Sequence, residues 1–234
     1  QMLVSRPIER SALSEIEFID NDRMIFAGQE GLEVYDLSKN QTLWTGKPAT
    51  GIAVSGDKQI AATVYKDESK CFLYRISTGE QIASVDFDGR KQYVDYNDIF
   101  ANPKENLFEL NHDGSLLAVS FRDGSLDVFC VEEPDESLSV LDEDSGCFRF
   151  SGGFFQKYFA FSAADSEKSE FFVIDTGKAV QTGGFTLSAK VTVSCDESGI
   201  YLCSDNFLER IDPESGREES VAYTMAEILN YERM

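Results

Sequence analysis

Apolar and polar positions alternate along this chain in short runs, and the spacing typical of helices is almost absent. Runs rich in Val, Ile, Phe, Tyr and Thr are separated by clusters of Gly, Asp, Asn and Ser. Period-two alternation bounded by turn residues is typical of β-strands. The sequence therefore predicts an all-β protein.

The predicted strands recur as a four-stranded unit of about 40 residues, a period that indicates a propeller or a solenoid. We predict one domain, 1–234, that is a β-propeller of about five four-stranded antiparallel blades. Residues 2–6 resemble a further strand, so a larger propeller of about six to eight blades stays open. The blades are predicted at 13–46, 50–87, 106–141, 147–185 and 190–224, with an inter-blade insertion at 88–105.

One spacing is shared by several units: an aromatic residue on the third strand and a turn residue five positions later. It occurs at Tyr35/Asn40, Tyr74/Gly79 and Phe172/Gly177. Gly and Asn tolerate left-handed backbone, so the spacing predicts a left-handed turn there and an aromatic that packs between blades. On this alignment, the positions that match Trp44 in the second and fourth units are Ala83 and Gln181.

The hairpins resemble those of two propeller families. Residues 111–119 (Asn-His-Asp-Gly-Ser-Leu-Leu-Ala-Val) and 123–129 (Asp-Gly-Ser-Leu-Asp-Val-Phe) are similar to hairpins of a WD-repeat blade. Residues 34–44, which end in Trp44, are similar to the end of a quinoprotein-like blade. The Trp-Asp pair that names the WD family is missing from the chain. The quinoprotein-like blade end with a Trp occurs in one of the five units. The resemblance implies the propeller fold, and a fold alone does not assign a function.

Charge narrows the classes of partner. The chain has 42 acidic and 21 basic residues and a net charge of −21, which repels phosphate backbones and anionic lipid headgroups. No stretch approaches the roughly 20 apolar residues of a membrane helix. We therefore expect no nucleic acid and no direct membrane binding, and a protein or peptide partner with a basic surface.

The cysteines indicate the redox compartment. The five cysteines have no CxxC spacing and lie mostly in apolar runs, which is typical of buried, reduced thiols. An odd number of cysteines, and no signal-peptide layout in the chain, favour a cytoplasmic protein. A disulfide between Cys195 and Cys203 in an oxidising compartment stays open as the alternative.

Candidate chemistry is sparse. The single histidine, His112, lies in a hairpin turn and is expected to face solvent, so triads and multi-histidine metal sites are not expected. No calcium loop or phosphate-binding loop is recognisable. We predict no catalytic residue, no cofactor and no metal. Carboxylate pairs stay open, because 42 acids on a propeller offer many spatial pairs.

The insertion is the sharpest candidate site, because it concentrates aromatics and cations in an acidic chain. Such residues are favoured at interface hot spots, and long loops on rigid scaffolds often bind partners. The alternative is that its aromatics pack onto the propeller. The predicted partner-binding residues are Arg90, Lys91, Tyr93, Tyr96 and Phe100.

These observations favour a non-catalytic interaction module that binds a protein or peptide through its loop face. Two alternatives remain: a ligand-sensing propeller of a larger receptor or signalling protein, and a carbohydrate-active or hydrolytic propeller that uses carboxylates alone. Acids and aromatics that converge in the central funnel would favour the hydrolytic alternative, whereas an apolar patch on the loop face would favour the interaction module.

Overall fold

The computed structural model describes residues 13–28, 31–65, 68–90, 107–145, 147–165, 168–187, 191–196, 198–204 and 207–224. These residues form five antiparallel sheets, each built from four strands in chain order. The predicted all-β fold of about five four-stranded propeller blades is confirmed. A 3-10 helix at Glu143–Ser145 is the one helix in these ranges, and none of their helices is long and apolar enough to cross a membrane.

The strands of each blade follow one another along the chain. In the first three blades they are β1 Leu13–Phe18, β2 Arg23–Gly28, β3 Gly31–Asp36, β4 Gln41–Thr45, β5 Gly51–Val54, β6 Ile60–Val64, β7 Lys70–Arg75, β8 Gln81–Asp86, β9 Phe108–Leu110, β10 Leu116–Ser120, β11 Leu126–Cys130 and β12 Ser137–Leu141. In the last two they are β13 Arg149–Phe155, β14 Tyr158–Ala164, β15 Ser169–Asp175, β16 Val180–Leu187, β17 Thr192–Asp196, β18 Gly199–Cys203, β19 Phe207–Asp212 and β20 Arg217–Thr224.

The chain divides into two compact units. The first contains β1 to β11, and its blades stack through two apolar clusters. One cluster joins blades one and two and includes Ile25, Leu32, Ile52 and Tyr74. The other joins blades two and three and includes Leu73, Phe87, Leu117 and Phe129. Because a single sheet buries its faces only against a neighbour, this stacking is what stabilises each blade.

The second unit contains β13 to β20 and stacks in the same way. Its cluster joins blades four and five and includes Phe171, Val173, Ile200 and Leu202. Cys203 lies opposite Thr192 in the β17–β18 ladder, whereas Cys195 lies opposite Ile200. The two cysteines are not cross-strand partners, and neither takes part in a disulfide.

In four of the five blades, the turn after the third strand has its left-handed residue at the same position. The residue four positions after the end of that strand has a positive φ in each case: Asn40 (53°), Gly79 (73°), Ala179 (52°) and Gly216 (63°). In the fourth blade, the expected pair Phe172/Gly177 is therefore two residues out of register. Thr176-Gly177 resembles Thr78-Gly79 in sequence, but Gly177 lies earlier in its turn, and Ala179 adopts the left-handed conformation.

The outer strand of a blade contacts the turn of the next blade. The indole N–H of Trp44 donates a hydrogen bond to the carbonyl of Ile76 at 2.7 Å, and its ring covers Gly79. The strand register makes Gly183, not Gln181, the equivalent of Trp44, because each lies opposite a third-strand valine. A Cβ on Gly183 would lie 2.4 Å from the Cα of Gly216 in the fifth blade.

Candidate functional site

Of the predicted partner-binding residues, Arg90 lies within the described part of the chain. Lys91, Tyr93, Tyr96 and Phe100 lie outside the described residues. Arg90 follows β8, the outermost strand of the second blade, and the described chain resumes shortly before β9, the innermost strand of the third. Its contacts therefore define the root of the insertion.

The Arg90 side chain is held by the first unit. Its Nη2 donates to Asp127 Oδ2 at 2.5 Å, and its Nε donates to the carbonyl of Phe87 at 3.2 Å. The guanidinium lies 4.1 Å from the ring centre of Phe121, within the range of a cation–π contact. Its side chain retains 28% exposure. Arg90 thus connects the end of the second blade to the third blade.

Asp127 is the buried partner of Arg90, and the sequence pattern alone did not identify it. It lies on β11 opposite Val119 and is 2% exposed, in a strand of otherwise apolar character. Its Oδ1 has no hydrogen-bond partner among the described residues. A carboxylate inside an apolar strand was the available signal, because buried charges require a partner. That partner is Arg90.

Arg90 lies at one end of the first unit. In antiparallel blades, the connection from an outer strand to the next inner strand lies at the same end as the turn between the two middle strands. This end, which we call the connection face, includes the end of β8, the start of β9 and the end of β10. Two of its lysines are also engaged: Lys47 lies 3.6 Å from the ring centre of Phe72, and Lys70 pairs with Asp86 at 2.9 Å.

A second group of charged residues lies on the inner strands β1 and β9 and in the β5–β6 turn of the first unit. Glu15 on β1 accepts a hydrogen bond from the backbone N–H of Ile52 at 2.7 Å. Glu17, two residues later, pairs with Lys58 at 3.3 Å. These two contacts join the inner strand of the first blade to the second blade. We call Glu15, Glu17, Lys58 and Glu109 the inner-edge group.

Glu109 has an unusual proton affinity. It lies on β9 between buried Phe108 and Leu110, and its side chain is open to solvent on one side. Desolvation by the surrounding protein, together with the charges of Glu17 and Glu15, raises the pKa of Glu109 to about 7, and Lys58 offsets part of this effect. A carboxyl with this pKa exchanges a proton near neutral pH. Sequence spacing could not rank it among 42 acids.

The structure also shows the surroundings of the single histidine and of one buried cysteine. His112 is exposed at the β9–β10 turn, and its carbonyl accepts the N–H of Asp57 at 2.8 Å, which joins two turns of neighbouring blades. Burial raises the pKa of the Cys71 thiol to about 12, so this thiol is unreactive. No cluster of three or more Asp, Glu, His or Cys side chains within the described ranges could hold a metal ion.

Comparisons with known proteins agree on the fold. No family model matches the chain, and no curated protein matches it. Among solved structures, the WD40 domain of Toxoplasma gondii coronin matches with a TM-score of 0.61 at 18% identity, over 90% of this chain. The chain spans 58% of that coronin chain.

Two further solved structures match at similar levels. The β-propeller domain of Myceliophteria thermophila Cps50 (Swd1) has a TM-score of 0.65 at 13% identity. The match covers 95% of this chain and 75% of the Cps50 chain. Kuenenia stuttgartiensis hydrazine synthase, an enzyme by its name, has a TM-score of 0.62 at 11% identity. The match covers 94% of this chain and 68% of the hydrazine synthase chain. These likenesses show that the chain has the β-propeller fold of WD40 domains.

Proposed function

We propose that the protein is a non-catalytic interaction module that binds a protein or peptide at the connection face of its first unit. The insertion at 88–105, which is rooted at Arg90, supplies the contact residues Lys91, Tyr93, Tyr96 and Phe100. The observation that carries this proposal is the attachment of Arg90 to buried Asp127 and to the ring of Phe121.

A fixed root favours binding because the Arg90 side chain is already ordered before the partner binds, so less conformational entropy is lost on binding. Immobilising a flexible side chain at an interface costs about 0.5 to 1.5 kcal/mol, and a fixed root reduces the number of groups that binding must order. Phe87, Phe121 and Phe129, with ring centres 5.3 to 6.4 Å apart, form the rigid base beneath Arg90. Tyrosine and phenylalanine on such a base are favoured as hot spots.

The charge of the chain favours a basic partner. A net charge of −21 attracts cationic surfaces over a distance of about one Debye length and accelerates their association. Lys47 and Lys70, two cations described on the connection face, are occupied by Phe72 and Asp86. Basic peptides with one or two apolar residues are therefore the expected ligands.

The test is a selection of random displayed peptides on the immobilised chain, followed by titration of the enriched peptides. We expect basic sequences whose affinity falls by about tenfold or more in the Tyr93→Ala/Tyr96→Ala double variant. Phe148→Ala, which removes an aromatic side chain that is 53% exposed on the fourth blade, is the matched control and should leave affinity unchanged. Enriched peptides that bind the double variant as tightly as the parent chain contradict the proposal.

The inner-edge group supports a second candidate function, a carboxylate-based hydrolase. Glu109, with a pKa of about 7, would be the general acid, and Glu17, which pairs with Lys58 at 3.3 Å, would be the second carboxylate. Turnover of chromogenic glycosides or esters that rises as Glu109 becomes protonated, and that is abolished in Glu109→Gln, would support it. Turnover unchanged in Glu109→Gln would exclude this group as its source.

A further inference from the structure

Three Asp-Gly pairs occur in the chain: Asp88-Gly89, Asp113-Gly114 and Asp123-Gly124. In such a pair the backbone nitrogen of the glycine can attack the side-chain carboxyl of the aspartate, because the glycine has no Cβ that obstructs the approach. The reaction requires a carboxyl that can turn toward this nitrogen. The three pairs therefore share one local sequence and differ in what their surroundings allow.

Two of the pairs have a carboxylate that is held in place. Asp113 Oδ1 accepts the backbone N–H of Ser115 at 3.0 Å and the hydroxyl of the same residue at 2.6 Å. Asp123 Oδ1 accepts the same two groups from Ser125, at 2.9 and 2.5 Å. The glycines of both pairs are buried, and a Cβ there would lie 2.8 and 2.7 Å from a neighbouring atom. Both carboxylates must give up two hydrogen bonds before they can react.

Asp88-Gly89 lies in different surroundings. Both residues are exposed in the turn that follows β8, with φ of 53° and 80°. Within the described part of the chain, the Asp88 carboxylate has no hydrogen bond or ion pair, and the Gly89 N–H has no acceptor. A Cβ on Gly89 would have no atom of the described residues within 4 Å. The carboxyl and the nitrogen are thus both available for the reaction.

We propose that Asp88-Gly89 is a site of spontaneous isomerisation to isoaspartate. The Gly89 nitrogen forms a bond to Asp88 Cγ, and the carboxyl hydroxyl leaves with the proton of that nitrogen as water, which gives a succinimide ring. Water then opens the ring at one of its two carbonyl carbons. Opening at Cγ restores aspartate. Opening at the original peptide carbonyl gives isoaspartate, whose main chain runs through Cβ and Cγ. One water is released and one is consumed, so no oxidant or cofactor is needed.

The product changes the main chain just before the root of the insertion. Isoaspartate adds one bond of about 1.5 Å to the main chain between β8 and Arg90. Arg90 donates to Asp127 Oδ2 at 2.5 Å and to the carbonyl of Phe87 at 3.2 Å, and an added bond exceeds the freedom of these contacts. Isomerisation therefore displaces Arg90 from its partners. The proposal concerns the chemistry of Asp88, and it does not depend on the function proposed for the insertion.

The test compares the three pairs within one molecule. The full chain is incubated for several weeks at neutral pH in water enriched in a heavy oxygen isotope, and circular dichroism checks that it stays folded. Ring opening incorporates the isotope, and electron-transfer fragmentation of the digested peptides distinguishes isoaspartate from aspartate. We expect isoaspartate to form at Asp88 about tenfold faster or more than at Asp113 and Asp123, where two hydrogen bonds must first break.

The same incubation in urea is the control. Unfolding removes the hydrogen bonds of Asp113 and Asp123, so the three pairs, each with glycine as the next residue, should then react at comparable rates. Equal rates at the three pairs in the folded chain, or no isoaspartate at Asp88, would overturn the proposal. A preference for Asp88 that is as large in urea as in the folded chain would also overturn it, because local sequence and not structure would then cause the preference.

Discussion

Replacing Arg90 by methionine tests the anchor at the root of the insertion. The substitution removes the guanidinium and keeps most of the aliphatic stem, so the buried Asp127 carboxylate loses the partner on its Oδ2. That side chain is 3% exposed, and its Oδ1 already has no partner among the described residues. The folded state must then hold a buried carboxylate whose charge is uncompensated.

The expected magnitudes differ for the two partners. Leaving a buried charge unpaired costs about 3 to 5 kcal/mol, so we expect Arg90→Met to lower the free energy of unfolding by about 3 kcal/mol. Asp127→Leu should cost less, about 1 to 2 kcal/mol, because Arg90 is 28% exposed and can be rehydrated. The double variant removes both charges, so it should be more stable than Arg90→Met alone by about 2 kcal/mol.

Urea unfolding followed by the fluorescence of Trp44 measures these differences, because the sole tryptophan lies in the first unit. Lys70→Met is the matched control. It breaks an ion pair with Asp86 in which both side chains are about half exposed, and it should cost less than about 1 kcal/mol. An Arg90→Met effect no larger than that of the control, or a double variant whose cost equals the sum of the single costs, would refute the anchor.

Three further predictions concern stability. Because the pKa of Glu109 is raised to about 7, its contribution to stability is fully present below its ordinary pKa and is lost as pH rises through about 7. The urea midpoint of the chain should therefore fall between about pH 5 and pH 8. The fall should be less steep in the Glu109→Gln variant. Gly216→Ala should cost about 2 to 4 kcal/mol by urea titration because its Cβ would meet backbone of the neighbouring blade, whereas Gly89→Ala, with positive φ and open space, should cost about 1 kcal/mol. Trp44→Phe should cost about 1 kcal/mol or more by thermal unfolding, because it leaves the carbonyl of Ile76 without the indole donor.

Much of the fold could be predicted from the sequence because strand alternation and turn residues are local signals. Tyr35/Asn40 and Tyr74/Gly79 gave the correct turn register in the first two blades. The fourth blade was misaligned by two residues because Thr176-Gly177 imitates the turn of the second blade, while the left-handed position is filled by Ala179. An alanine in the left-handed conformation costs energy, and nothing in the local sequence indicates that this turn places one there.

The candidate sites were less predictable because they join residues that are distant in sequence. Arg90 was identified from composition, but its partner Asp127 is 37 residues away and depends on how two blades stack. The proton affinity of Glu109 depends on Glu15 and Glu17, which lie on another blade. Burial and blade order determine both effects, and neither has a signature in a window of neighbouring residues.

The contact between an outer strand and the next turn limits how the repeats can diverge. The ring of Trp44 fits because Gly79 has no Cβ, and in the second unit Gly183 and Gly216 approach so closely that neither position has room for a side chain. A lineage that acquires a side chain at the turn must therefore lose bulk on the preceding blade, or the reverse. We therefore expect side-chain size at such positions to be coupled between neighbouring blades, a coupling that a motif defined within one repeat does not capture.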